Sequence, residues 1–129
     1  MALLSEEKAA GQLNKKKIIQ EEQVMEKRFT EATFDEEALK AKVAFVDFYA
    51  DWCGPCQAMG PVVEKLAGEY EGKAVVGKVN VDENPELARR YRVMTIPCMM
   101  VFKDGEVAKK FIGLTPENEI KAAIDEALA

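Results

Sequence analysis

The chain has no histidine and only three cysteines, Cys53, Cys56 and Cys98, among its 129 residues. A structural zinc site draws four ligands, chiefly from cysteine and histidine, and this composition does not supply them. Three cysteines are also too few for a disulfide-stapled secreted scaffold. Positive charge is not in excess: 18 lysines and arginines face 23 acids, leaving a net charge of −5. That balance argues against nucleic acid as the main partner, because a phosphate backbone demands a basic face. Uncharged runs fall far short of the roughly 20 residues a membrane helix needs. No apolar signal core opens the chain either, since Ser5, Glu6, Glu7 and Lys8 follow Leu3-Leu4 almost at once. The expected setting is therefore the reducing cytoplasm, where a Cys-x-x-Cys pair is catalytic or metal-binding before it is structural.

The hydrophobic content of 48% is sufficient for one real core at this length, so one domain is expected. Residues 1–25 read as a polar N-terminal extension, with Lys8, Lys15, Lys16 and Lys17 balanced by Glu6, Glu7, Glu21 and Glu22. Their apolar residues hold no helical period, which suits a loose helix or a mobile tail. Lys15-Lys16-Lys17 is flanked by acids and reads as a solvated run, not a binding patch. Residues 26–129 form the expected domain.

Within that domain strand and helix signals alternate. Lys27-Arg28-Phe29 is a short strand candidate. Thr33 and Glu36 have the spacing of a capping box, opening a helix that turns Ala38 and Leu39 inward. Val43 to Ala50 is an almost unbroken apolar run, the pattern of a strand buried on both faces. Met59, Val63, Leu66 and Tyr70 then recur at helical spacing, with Pro61 inside the pattern and expected to kink it. Ala74 to Val81 is a second buried strand, and Asn84-Pro85 reads as a helix start. Cys98–Lys103 and Glu106–Ile112 are two strands joined by Asp104-Gly105, a favoured hairpin turn. Thr115-Pro116 is expected to cap a last helix with Ile120, Ile124 and Leu128 on one stripe. The order β-α-β-α-β-α-β-β-α predicts an α/β fold: helix-linked strands parallel, the hairpin antiparallel, and helices covering a mixed sheet.

The chemistry concentrates at Trp52-Cys53-Gly54-Pro55-Cys56, where the buried strand gives way to a helix. Free backbone N–H groups and the macrodipole at a helix N-terminus favour an anion. Thiolate is the reactive form of cysteine, so the pKa of Cys53 is expected below the ordinary value of about 8.5. Cys53 would attack a substrate disulfide, and Cys56, one turn on, would attack back and release the reduced substrate. Pro55 stiffens the loop, and Gly54 lets a partner chain approach. Asp47 interrupts an apolar strand; desolvation would raise its pKa and suit it to accept or relay the Cys56 proton.

The stretch Phe45-Val46-Asp47-Phe48-Tyr49-Ala50-Asp51-Trp52-Cys53-Gly54-Pro55-Cys56, with Thr95-Ile96-Pro97 further on, resembles the active-site motifs of thioredoxins. The likeness covers about residues 27–129. It implies the thioredoxin fold, a cis peptide at Pro97 facing the cysteines, and Lys78 as the partner of Asp47. It also implies an apolar rim of Trp52, Ile96 and Gly113 around the dithiol, with backbone beside Pro97 pairing with a bound peptide. Three positions depart from the usual pattern: Tyr49 for tryptophan, Gln57 for lysine, and Cys98 for the threonine after the proline. Cys98 has two readings, a small apolar residue beginning a strand or a third thiol near the redox pair. Met94, Met99 and Met100 read as packing residues rather than a ligand set.

The implied function is protein-disulfide reduction, with electrons from a thioredoxin reductase and substrates of the ribonucleotide reductase or peroxiredoxin type. The dithiol carries the electrons itself, so neither cofactor nor metal is expected, and a monomer is. A disulfide oxidase or isomerase is the enzymatic alternative, and a redox-independent binding module is the alternative from another class.

Overall fold

In a computed structural model, which describes residues 26–129, the apolar run after Lys42 becomes the central strand of a five-stranded sheet. The reading of residues 1–25 as an extension lies outside the described residues. The elements are β1 (Lys27–Arg28), α1 (Asp35–Leu39, a single π-helical turn), β2 (Val43–Tyr49), α2 (Gly54–Glu69) and β3 (Val75–Asn80). They continue with α3 (Pro85–Arg90), β4 (Cys98–Lys103), β5 (Glu106–Ile112) and α4 (Glu117–Leu128). The element order agrees with the sequence reading, and α2 runs through Pro61 without interruption.

Strands lie in the order β1-β3-β2-β4-β5. β1, β3 and β2 are parallel, whereas β4 is antiparallel to β2 and β5 to β4. The expectation that every helix-linked pair runs parallel therefore fails at β4. A parallel return needs a crossover that retraces the strand. At six residues, α3 is only about 9 Å long, against roughly 20 Å for a six-residue strand. The chain consequently re-enters the sheet from the end at which β2 and β3 finish. That brings the start of β4 to the same end as the N-terminus of α2, and this is what builds the site.

Alternation along β2 divides the core in two. Val43 and Phe45 pack with Met59, Val63 and Leu66 of α2 and with Ile120 and Ile124 of α4. Ala44, Val46 and Phe48 pack on the other side with Phe29, Phe34, Leu87, Met100 and Phe102. There the Phe34 ring meets those of Phe29, Tyr91 and Phe102 at centroid distances of 5.7, 5.6 and 5.8 Å, the spacing of favourable aromatic pairs. Gly77 is required on β3, since a Cβ there would collide with the Phe29 ring and sit 2.8 Å from the Lys27 carbonyl oxygen.

The hairpin turn forms as expected, with Asp104 and Gly105 both at positive φ (52° and 84°). The helix start at Asn84-Pro85 also forms, with Asn84 at the N-cap and Pro85 first in α3, but the side-chain caps expected at Thr33 and Thr115 do not. Thr33 Oγ1 accepts from the N–H of Thr30, three residues before it, and the helix begins only at Asp35. Asn84, at the N-cap of α3, makes no side-chain cap bond; it accepts from the Glu31 N–H and donates to the Asn80 carbonyl, tying α3 to the β1–α1 loop. Thr115 donates to the Gly113 carbonyl, leaving Pro116 at the start of α4 without a side-chain cap. In each case a tertiary or turn partner outcompetes the free N–H of the helix.

Candidate active site

At the end of β2 the chain turns through Ala50–Trp52, and the Cys53 N–H bonds back to the Ala50 carbonyl at 3.2 Å. This sets Cys53 as the N-cap of α2 in extended conformation (φ −93°, ψ 113°), where its Sγ accepts from the Cys56 N–H at 3.2 Å. Sulfur thus occupies the position that a serine or aspartate oxygen takes in an ordinary cap. Pro55, in the first turn, lacks an N–H that would otherwise be orphaned. Cys53 and Cys56 are joined as a disulfide, with Cα atoms 5.2 Å apart. Were the pair reduced, the same cap hydrogen bond and the helix dipole would favour a Cys53 thiolate. A Cβ added to Gly54 would meet nothing within 4 Å, so internal packing does not demand glycine there.

Opposite the pair stands the Ile96–Pro97 peptide, which is cis. The Ile96 carbonyl oxygen lies 3.8 Å from Cys53 Sγ, a contact in which a thiol can donate and a disulfide sulfur cannot. Gly113 donates its N–H to the Pro97 carbonyl at 2.8 Å, and its φ of 86° is a conformation that favours glycine. Trp52 is 71% exposed, and its indole Nε1 donates to Asp82 at 2.8 Å. Trp52, Ile96, Pro97 and Gly113 are thus gathered around the disulfide. The rim is wider than the sequence suggested. Met94, expected to pack internally, is 89% exposed just before Ile96, and Ile112 and Leu114 are exposed on either side of Gly113. Met99 and Met100 are buried as expected.

Beneath the cysteines, Asp47 shares the face of β2 that packs on α2, one alternation beyond Phe45 toward the helix N-terminus. It is 2% exposed, and among the described residues its Oδ1 has no hydrogen-bond partner. Burial pushes its carboxyl up to about 7; the positive charge of Lys78 opposes that rise and the negative charge of Glu26 adds to it. Lys78 is the register partner of Asp47 on β3. Its ammonium makes its ion pair elsewhere, with Glu26 Oε2 at 3.0 Å, and stands 4.9 Å over the Tyr49 ring. Tyr49 OH in turn accepts from Arg28 at 3.1 Å. Glu26 and Asp82 had no signal in the sequence, since an acid at a strand entry and one in a turn look solvated until the fold closes over them.

Cys98 resolves in favour of its packing reading. It is 1% exposed, faces the Phe48 side of the sheet, and its thiol is raised by burial. A thiol held neutral in the opposite core is a poor nucleophile. Gln57 donates to the Asp51 carbonyl at 2.9 Å, so this departure ties the active-site turn instead of charging it. A cavity of about 650 Å³ between β5 and α4 shares no residue with the cysteine site. The geometry around Cys53 suits exchange with a disulfide carried by a docking chain.

The family model described as thioredoxin matches residues 25–126. The chain belongs to the thioredoxin family. It is 50% identical over 98 residues to thioredoxin 2 of Chlorobaculum tepidum, covering 75% of this chain and 90% of that protein. Thioredoxin of Staphylococcus haemolyticus is 46% identical over 101 residues, 78% of this chain and 96% of its own length. Among solved structures, a mutant thioredoxin from Halobacterium salinarum superposes with a TM-score of 0.75 at 37% identity, covering 82% of this chain and 93% of that one. Like other members of the thioredoxin family, this chain is a thiol–disulfide oxidoreductase with its redox pair at Cys53 and Cys56. No helix among the described residues is long and apolar enough to cross a membrane.

Proposed function

We propose that the chain works as a cytoplasmic protein-disulfide reductase, recharged by a thioredoxin reductase and acting on disulfide-bearing enzymes of the ribonucleotide reductase or peroxiredoxin type. The observation that carries this reading is Cys53 at the N-cap of α2, its sulfur accepting the Cys56 N–H. In the reduced state the Cys53 thiolate attacks one sulfur of the substrate disulfide, and the other leaves as a thiolate. Asp47 takes the proton of Cys56, whose sulfur then attacks Cys53. The bond from Cys53 to the substrate breaks, the second substrate thiolate departs, and the Cys53–Cys56 disulfide forms. Two electrons have passed to the substrate.

The remaining residues have positioning roles in this reading. Trp52, Ile96, Pro97 and Gly113 form the surface that holds the substrate segment, whose backbone pairs beside Pro97 as an added strand. Gly54 and Pro55 keep the approach to Cys53 open and stiff. Lys78 acts on Asp47 through charge.

Insulin reduction with dithiothreitol as electron source tests the reading, with precipitation of the free B chain as the signal. The wild-type chain is expected to accelerate it and Cys53→Ser to abolish the acceleration. No acceleration by wild type, or full acceleration by Cys53→Ser, would overturn the proposal. A reduction potential near −270 mV, the figure general to thioredoxins and not one read from this site, separates the reductase from oxidase and isomerase types at about −120 to −180 mV.

A further inference from the structure

Two buried carboxylates share one lysine beneath the dithiol. Glu26 Oε2 lies 3.0 Å from Lys78 Nζ, with the glutamate side chain 6% and the lysine 18% exposed. Asp47 pairs with Lys78 in register, and among the described residues its Oδ1, like Glu26 Oε1, has no hydrogen-bond partner. We propose that Glu26 is a positioning residue: by holding the Lys78 ammonium it withholds the counter-ion from Asp47, and so governs when that carboxylate takes the Cys56 proton. The inference rests on the reading of Asp47 as that proton's acceptor.

The argument is one of charge in a dry place. If Glu26 and Asp47 were both ionised, two negative charges would face one positive charge, and a buried carboxylate without a partner is costly. One of the two must give way. Glu26 has the ion pair and Asp47 does not, so Asp47 is the one that holds its proton toward neutral pH. Among the described residues, the charged and titratable groups around Asp47 are few. Lys78 approaches from β3, Glu26 and Arg28 from the entry to β1 and from β1 itself, Tyr49 from its own strand, Cys56 from α2, and Cys98 from β4 on the opposite face. Arg28 is engaged by the Tyr49 hydroxyl, and Lys78 stands over that ring. Lys78 is therefore the cation whose position is free to matter, and Glu26 sets it.

In the resolving step the Cys56 proton passes to Asp47, the Cys56 sulfur bonds to Cys53, and the substrate sulfur leaves with the electron pair of its bond to Cys53. The Cys56 thiol can start this step only when Asp47 is ionised. Removing the charge of Glu26 frees Lys78 for Asp47 and favours ionisation, so the step should open at lower pH.

The test uses the full reduced chain, with the side-chain carboxyl of Asp47 titrated by carbon-13 NMR alongside the pH profile of insulin reduction. Glu26→Gln is expected to move both midpoints to lower pH by about one pH unit, while Lys78→Gln moves them higher. Glu26→Ala, expected to act in the same direction, serves if the glutamine variant does not fold. An unchanged NMR midpoint, or one moved upward, overturns the proposal even if the variant is less stable, because a purely structural role changes stability without moving the titration. If Asp47→Asn instead retains the wild-type pH profile, the reading of Asp47 as proton acceptor is what fails. That failure is recognisable because the NMR midpoint of Glu26→Gln would still move.

Discussion

The two sides of β2 both face the interior and are differently made. Ala44, Val46 and Phe48 face a closed apolar cluster in which Phe34 touches three aromatic rings. Val43 and Phe45 begin an equally apolar side, but its next two positions are Asp47 and Tyr49, above a lysine and a glutamate. The polar interruption comes where the strand approaches the cap of α2, and nowhere else along it. One face supplies the stability that the other uses to hold an unpartnered carboxylate beneath a redox pair.

The comparison predicts a sharp division between stability and chemistry. Phe34→Ala, on the apolar face, should cost about 3–5 kcal/mol in urea unfolding of the oxidised protein, as deletion of a fully buried aromatic ring does. Insulin reduction per folded molecule should be unchanged. A tenfold loss of rate in protein that is still folded would break the division.

Asp47→Asn should act in the opposite sense on both counts. The Asp47 carboxyl lies at about 7 in the folded state against 3.8 for the free group. Its folded-state value is raised, so the native state binds the proton more tightly than the unfolded state does. Stability is therefore greatest below about pH 4, declines between about 4 and 7, and stays at its reduced level above that. The decline is on the order of 4 kcal/mol for the wild-type chain and should vanish in Asp47→Asn. The variant should unfold at higher urea than wild type at pH 8 and converge with it near pH 4, while its resolving step slows. Parallel stability curves for the two proteins would remove Asp47 from its place in the comparison.

The apolar face was legible in the sequence and much of the polar face was not, for a physical reason. Periodicity reports burial, so Val43–Ala50, the α2 stripe and the Asp104-Gly105 turn located the strands and helices to within a residue or two. Asp47 stood out because it broke that periodicity. Glu26 and Asp82 did not, since their importance comes from side chains brought together across 52 and 30 residues, and no local pattern encodes that. The side-chain caps at Thr33 and Thr115 were misread because backbone groups of the adjacent turns captured them: the Thr30 N–H donates to Thr33, and Thr115 donates to the Gly113 carbonyl. The reversal of β4 followed from the length of α3, which the Asn84-Pro85 start did not reveal.

The smallest expected effect sharpens the comparison most, because it sets a thiol from each face side by side. Cys98 is one residue from Pro97 in sequence, yet alternation along β4 turns it to the Phe48 side, where burial raises its thiol. Proximity along the chain is thus no measure of reactivity; the face decides. In reduced protein at neutral pH, iodoacetamide should alkylate Cys53 first and leave Cys98 unmodified until denaturant is added, as mass spectrometry of the digested chain would show. Cys98→Ala removes one buried sulfur and should cost about 1 kcal/mol, with insulin reduction unaltered. Were Cys98 alkylated in the native state as fast as Cys53, the two faces would not be chemically separate. The redox pair would then have to be counted as three thiols.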